Sequence, residues 1–400
     1  MSNMTERIPR GVWVLGFVSM LTDISSEMIH SLLPLFMVGT LGASAFMVGV
    51  IEGLAESTAL IVKVFSGMLS DYLGKRKGLT VFGYTLGALT KPLFAIASSA
   101  GLVLFARLAD RIGKGIRGAP RDALIADITP RHLLGAAFGL RQSLDTVGAF
   151  VGPLMAVGLM LLWSNDFRAV FWVAAIPAFA AAALLVFGLK ESKRSDTQEA
   201  VNPLRIDNLK RLGRPYAAVV IIGALFTLAR FSEAFLVLRA EDCGIPIAYV
   251  PLVMVAMSAV YALSAYPFGK LSDRYNRRAL LALGLVVLIA ADLVLASSRQ
   301  WGMLFAGMAL WGIHMGMTQG LLATLVAETA PADLRGTAFG VFNLVSGLSM
   351  LLASVLAGWL WERIGPSSTF YAGALISLLT LVALGAQYGW RRPRTPAAPL

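Results

Sequence analysis

Long apolar stretches separated by short polar turns recur along the whole chain. At 1.5 Å rise per residue, roughly 20 residues cross a hydrocarbon layer about 30 Å thick. On that measure the pattern predicts twelve spanning helices. Six lie at 11–37, 44–70, 79–98, 100–126, 133–163 and 168–190, and six more at 214–238, 247–271, 279–297, 300–328, 335–362 and 368–390. The polar run between them predicts a six-helix unit over 1–190, a linker over 191–213, a second six-helix unit over 214–390 and a tail over 391–400. The expected class is an all-α integral membrane protein whose partner is the lipid bilayer.

The loops alternate in charge. "GKRKG" (74–78), the 191–213 linker, "DRYNRR" (273–278) and "WRRPR" (390–394) are basic, whereas "GTLGAS" (39–44) and "ASSAG" (97–101) carry no Lys or Arg. Basic loops stay on the cytoplasmic side, so both termini are expected there, with the protein multi-pass in the plasma membrane, a bacterial inner membrane. The polar start, Met1–Arg10, is followed by an apolar stretch without a small-residue cleavage site, so no cleaved signal is expected.

Composition agrees. Hydrophobic residues make up 57% and charged residues 14%, where a soluble domain carries about 25% charge. The net charge of +11 sits in the short loops, which argues against nucleic acid as a partner. A single cysteine, Cys243, excludes an internal disulfide and a cysteine-based metal cluster. Only three histidines occur, none clustered, so neither a metal site nor an enzyme is expected. No Gly-x-x-x-x-Gly-Lys-Ser/Thr loop is present, so any transport must be driven by a gradient rather than by ATP.

The two halves align with an offset near 200 residues. "GMLSDYLGKRKG" (67–78) matches "GKLSDRYNRRAL" (269–280), and "ADITPRHLLGAAFG" (126–139) matches "AETAPADLRGTAFG" (327–340). Because these matches fall in polar loops, they are not the chance likeness of one apolar helix to another. Such repeats place a substrate site at the midplane, between the halves.

At this point the chain resembles the major facilitator superfamily, over essentially its whole length. The family's second-to-third loop pattern reads here Gly67, Asp71, Gly74, Arg76 and Lys77. A degenerate copy lies at Gly269, Asp273, Arg277 and Arg278, with Asn276 in place of the second glycine. "GAFVGPLMAVG" (148–158) resembles the Gly-x-x-x-Gly-Pro pattern of the antiporter branch, through Gly148, Gly152 and Pro153. "LTDISSEMIHSLLP" (21–34) is similar to the acid-then-proline pattern of drug–proton antiporters, through Asp23 and Pro34. The fourth helix departs from the family pattern: Arg107 fits, but Asp110 replaces a glutamine and the glycines shift to Gly113 and Gly115. The resemblance implies two pseudo-symmetric six-helix bundles, a small-molecule substrate, protons as partner, no cofactor beyond the proton gradient, and a monomer. It also implies a gating role for the loop, with Asp71 latched to Arg117 or Arg121.

Charges inside the spans carry the functional expectation. Each costs roughly 2.5–3.5 kcal/mol at the bilayer centre, so it persists where it is paired or faces water. Helical spacing collects them into stripes: Asp23, Glu27, His30 and Pro34; Glu52, Glu56 and Lys63; Arg107, Asp110, Arg111, Lys114, Arg117 and Arg121; Arg141 and Asp145. Acids and bases nearly balance there, which points to a paired network. The second half offers fewer charges, Arg230, Glu233, Asp292 and His314, and more aromatic and methionine residues for substrate shape. Asp23, Glu27, Glu52 and Glu56 are the expected proton carriers, Asp23 and Glu27 foremost. Arg107 and Arg111 are the expected switching partners. His30, Asp110, Lys114, Arg141, Asp145, Arg230, Glu233 and His314 are expected around the substrate cavity. Asp292 stands alone, and no pattern gives it a role. Two readings stay open: a proton-coupled exporter of small organic molecules, or an organic-anion transporter that uses the arginines of the fourth helix.

Overall fold

The computed structural model describes residues 8–73, 76–189, 211–272, 275–331 and 334–389, and its helices follow the apolar stretches. In the first half they are α1 (Arg10–His30, prolonged by Leu33–Leu35 and a π-helical turn Phe36–Thr40), α2 (Ala45–Leu73), α3 (Arg76–Ile96), α4 (Ala100–Ile128), α5 (Leu134–Leu162) and α6 (Phe167–Gly188). In the second they are α7 (Gly213–Ala229, resuming as Ala234–Asp242 after a break), α8 (Leu252–Ser272), α9 (Arg277–Ser297), α10 (Trp301–Thr329), α11 (Arg335–Arg363) and α12 (Pro366–Gly389). Ten of the twelve are long and apolar enough to cross a membrane by composition alone; α4 and α10 are the exceptions. The charge stripe of α4 explains its absence, and the glycines, His314 and Thr318 of α10 dilute its apolar character.

The turns at one end of the bundle are tight, for a conformational reason. Gly42, Asn165, Gly244 and Gly365 adopt positive φ there, a region that glycine and asparagine enter at low cost. Gly42 and Gly244 close the same turn in the two halves, as do Asn165 and Gly365. Basic residues mark the opposite end, hereafter the basic end; the tight turns mark the far end.

Packing repeats with the sequence. In the first half α1 lies against α5 and α6, α4 against α2 and α3, and α3 against α6. In the second half α7 lies against α11 and α12, α10 against α8 and α9, and α9 against α12. The halves meet where α2 runs along α11 and α5 along α8. An ion pair repeats as well: Arg76 bonds Asp127, and Arg277 bonds Glu328. The linker expected at 191–213 lies outside the described residues apart from 211–213, and the 391–400 tail lies outside them entirely.

The apolar core is divided unequally. Toward the far end one cluster joins both halves, with Met28, Phe36, Ile51 and Phe171 packed into the same core as Phe235, Trp311 and Phe370. Toward the basic end each half has its own cluster, around Leu15 and Leu124 in the first and around Leu285 and Val326 in the second. The bundle is therefore sealed at the far end, where the Phe46 amide also donates to Glu362 Oε2 at 3.2 Å across the halves, and split toward the basic end.

One close approach fixes α1. A Cβ on Gly148 would stand 2.7 Å from the Met20 carbonyl oxygen and 2.9 Å from Asp23 Cβ; one on Gly152 would stand 2.7 Å from the Ile24 oxygen and 2.8 Å from Glu27 Cβ. Alanine at either site should cost about 1–3 kcal/mol of overpacking, because backbone must give way. A lower melting temperature for purified G148A and G152A, with G158A unchanged because its Cβ would meet open space, is the expected result. Three equal melting temperatures would contradict this packing.

Candidate functional site

The sequence stripes converge where α1, α2, α4 and α5 face α8. A cavity of about 460 Å³ opens there. From α1 come Asp23 and Glu27, from α2 Glu56 and Lys63, from α4 Lys114, Arg117 and Arg121, and from α5 Gln142 and Asp145. The second half contributes Ser258 and Tyr261 of α8. Four acids and four bases line one wall, so the cavity is polar without a dominant sign.

Behind that wall lies a chain of pairs. Arg107 grips Glu52 with two hydrogen bonds, Nε to Oε1 at 3.0 Å and Nη2 to Oε2 at 2.7 Å, with only 2% and 0% of the two side chains exposed. Arg111 Nη2 reaches Glu56 at 3.3 Å. Lys91, from α3, donates to Asp110 at 2.9 Å and to Ser26 Oγ at 3.1 Å. His30 stands between Glu27, 3.6 Å from Nδ1, and Glu52, 3.8 Å from Nε2; both separations are longer than a formed hydrogen bond. Arg141 and Asp145 pair within α5 at 2.8 Å. Fork-shaped guanidinium–carboxylate pairs of this kind offset the desolvation of both charges only when their geometry is good, and at Glu52–Arg107 it is.

The glycines that shift the fourth-helix pattern make this arrangement possible. A Cβ on Gly113 would lie 2.7 Å from the Gly83 oxygen of α3, and one on Gly115 would lie 2.7 Å from Val62 of α2. Backbone contact on both sides lets the short reach of Asp110 and the long reach of Arg107 meet partners on different helices.

The family follows from this arrangement and from comparison with known proteins. The sequence profile described as Major Facilitator Superfamily matches residues 15–239 and 218–400. The chain belongs to the major facilitator superfamily. It is 33% identical over 387 residues to an uncharacterised MFS-type transporter of Methanocaldococcus jannaschii, covering 95% of both chains. It is 25% identical over 399 residues to the multidrug resistance protein MdtH of Photorhabdus laumondii, covering 98% of each. The solved structure of the nucleoside transporter NupG, at 16% identity, superposes with a TM-score of 0.78 over 94% of this chain and 99% of that one, which is a likeness of fold. The protein is a membrane transporter of this superfamily and not an enzyme.

Within the superfamily pattern, the described contacts of the second-to-third loop stay inside one half. Arg76 holds Asp127 at the end of α4, and Lys77 donates to the carbonyls of Val186 and Leu189 at the end of α6. Gly67 packs on Ala119 of α4, whereas Gly269 of the degenerate copy has open space beside it. Gly74, Asp273 and the side chain of Asp71 lie outside the described residues. The expected latch partners of Asp71 have other engagements: the Arg117 guanidinium lies 4.6 Å over the Tyr84 ring, and Arg121 binds Ser19 and Asp122.

Arg107 and Arg111 are held by Glu52 and Glu56, because α2 lies directly beside α4. Two further expectations are corrected. Glu52, Arg107 and Asp110 are buried behind the cavity wall instead of lining it. His314 is enclosed within the second half, stacked on Phe226, its Nδ1 2.8 Å from the Gly284 oxygen; its face of α10 turns to α9, away from the cavity. Arg230 and Glu233 flank the break in α7, half-buried. Gln142, Ser258 and Tyr261 were not singled out from the sequence, since uncharged polar residues on apolar helices give no periodic signal. Lys63 was visible in its stripe.

The Glu52–Arg107 pair predicts an asymmetric mutational response. Removing one partner strands a buried charge, at a cost of about 3–5 kcal/mol. R107M should therefore lower the yield of monodisperse protein sharply, and E52Q/R107M should recover much of it. A double variant no better than the single one would mean the pair is not the binding unit between α2 and α4.

Proposed function

We propose that this transporter is a proton-coupled exporter of small cationic or neutral organic molecules, working by alternating access between 1–190 and 214–390. One observation carries the reading. Asp23 and Glu27 stand on the cavity wall, seated by Gly148 and Gly152, and Asp23 has no hydrogen-bond or ion-pair partner among the described residues. A carboxylate so placed is free to exchange a proton for a substrate. The arginines that an anion carrier would need, Arg107 and Arg111, are already neutralised by Glu52 and Glu56. The likeness to a multidrug resistance protein supports the same direction.

In this reading the basic end faces the cytoplasm, following the charge of the loops. The far-end seal and the split basic end then correspond to a state open inward. Substrate enters from the cytoplasm and displaces protons from Asp23 and Glu27. The halves rock about the site, and protons from outside reload the two acids as substrate leaves. Organic-anion transport is a second reading, favoured by Lys63 and Lys114, which reach the cavity without a bonded partner among the described residues.

Proton-gradient fluorescence in everted vesicles separates the two. A panel of lipophilic cations and neutral compounds should discharge the gradient in wild type, and D23N and E27Q should each reduce the response, the double variant abolishing it. Gradient discharge by the same compounds in the double variant would remove the coupling assignment. A response to organic anions alone, lost in K114Q, would replace the exporter with the anion carrier.

A further inference from the structure

Among the described residues, Asp292 is the one acid of the second half buried without any partner. It lies in α9 with no exposed surface, and neither carboxyl oxygen has a hydrogen-bond partner. Gly373 of α12 leaves it room: a Cβ there would come within 2.7 Å of Asp292 Oδ2 and 3.1 Å of the Phe231 ring. Three more buried polar atoms without partners sit on the helices packed around it. They are Trp311 Nε1 and His314 Nε2 on α10, and Ser377 Oγ on α12.

Register brings these atoms together. Along the α9–α10 pair, Gly284 meets Thr318 and His314, and Leu295 meets Gly307. Asp292, two turns beyond Gly284, is therefore level with Trp311. Ser377 is one turn from Gly373 on α12, and His314 one turn from Trp311 on α10. Four unsatisfied groups thus occupy two turns of a three-helix interior. On the cavity side the break in α7 closes it off. Phe231 is buried against Gly373, its ring centroid 5.4 Å from that of Trp311 and 5.3 Å from that of Phe370. Its neighbours Arg230 and Glu233 are only half-buried.

We propose that α9, α10 and α12 enclose a second proton site, in which Asp292 is held as the neutral acid and enclosed water links it to Trp311, His314 and Ser377. Ionisation at this position would leave a charge with no counter-ion, a far larger cost than burying the acid. Among the described residues, the titratable group on that side of α10 is His314, and Tyr371 of α12 is exposed on the outside of the bundle. The charges of α7, Arg230 and Glu233, flank Phe231 on the cavity side. The donors and acceptors are complementary: a carboxyl that gives and accepts, an indole N–H, a hydroxyl, and an imidazole Nε2 left as acceptor because Nδ1 serves Gly284. Water needs two to four such partners to stay buried. Exchange with the central cavity passes Phe231 and requires the α7 break to move.

The site stands apart from the assignment of Asp23 and Glu27, and its test reads Asp292 itself. Infrared spectra of purified protein at neutral pH should show a protonated-carboxyl band that is absent in D292N and retained in D23N. Isotopically labelled aspartate should shift the band in wild type, which assigns it to an aspartic acid, and its loss in D292N but not in D23N assigns it to Asp292. In heavy water the band should shift slowly, and about tenfold faster in F231A, or in F231L if the alanine variant is not monodisperse. Superposable spectra of wild type and D292N at neutral pH would overturn the proposal. A band exchanging as fast as exposed carboxyls would show that the pocket is not closed, and an unchanged rate in both Phe231 variants would remove the route through α7.

Discussion

Charge inside a bilayer must be paired or wetted, and α4 is where this protein meets that constraint. The helix carries Arg107, Asp110, Arg111, Lys114 and Arg117 within eleven residues, too many to insert as an independent apolar span. It is tolerated because α2 and α3 flank it, bringing Glu52, Glu56 and Lys91 to its buried face, while Lys114 and Arg117 turn to the cavity. The glycines of α3 and α4 bring backbones close enough for these partners to meet. The first half is thus assembled around a polar core, whereas the second is held mainly by aromatic and aliphatic packing around Phe231, Trp311 and Phe370.

Much of this was legible in the chain. Twelve spans, the repeat and the charge stripes follow from spacing, because a helix in lipid must hide its backbone and can hide its charges only on one face. The seat of Asp23 and Glu27 on Gly148 and Gly152 was half legible: the spacing of the glycines was visible, but not which helix they meet. The partners were not. Arg107 could have turned to α1 or to α2, and only the helix arrangement decides for Glu52. His314 was misplaced because one residue on a glycine- and methionine-rich helix has no stripe to say which face is inward. Gln142, Ser258 and Tyr261 were hidden for the same reason.

The asymmetry between halves also explains the lone acid. In the first half every acid that falls behind the cavity wall, Glu52 and Asp110, meets a base on a neighbouring helix. In the second half no described Lys or Arg pairs with Asp292, and the space beside it is kept by Gly373. A carboxyl so placed retains value only as a neutral hydrogen-bonding group, and its unsatisfied neighbours Trp311, His314 and Ser377 have the complementary chemistry.

Where the strong interactions sit determines what can move. The ion pairs Glu52–Arg107, Lys91–Asp110, Arg76–Asp127 and Arg277–Glu328 each lie within a single half. The two buried pairs, Glu52–Arg107 and Lys91–Asp110, are costly to break one partner at a time, and none of the four ties one half to the other. The joint between halves is different in kind. Along α2 and α11, Gly49 and Gly53 face Ser354 and Leu351, and Gly358 faces Ala45 and Phe46, backbone against backbone. At the far end the seal is the shared apolar cluster and one hydrogen bond, Phe46 to Glu362. Apart from that exposed hydrogen bond, these contacts are non-directional and individually weak, so one surface can slide and re-form without stranding a buried charge. An opening at the far end would split that cluster and leave every described ion pair intact, which is the division of labour that rocking of two bundles around a fixed polar cavity requires.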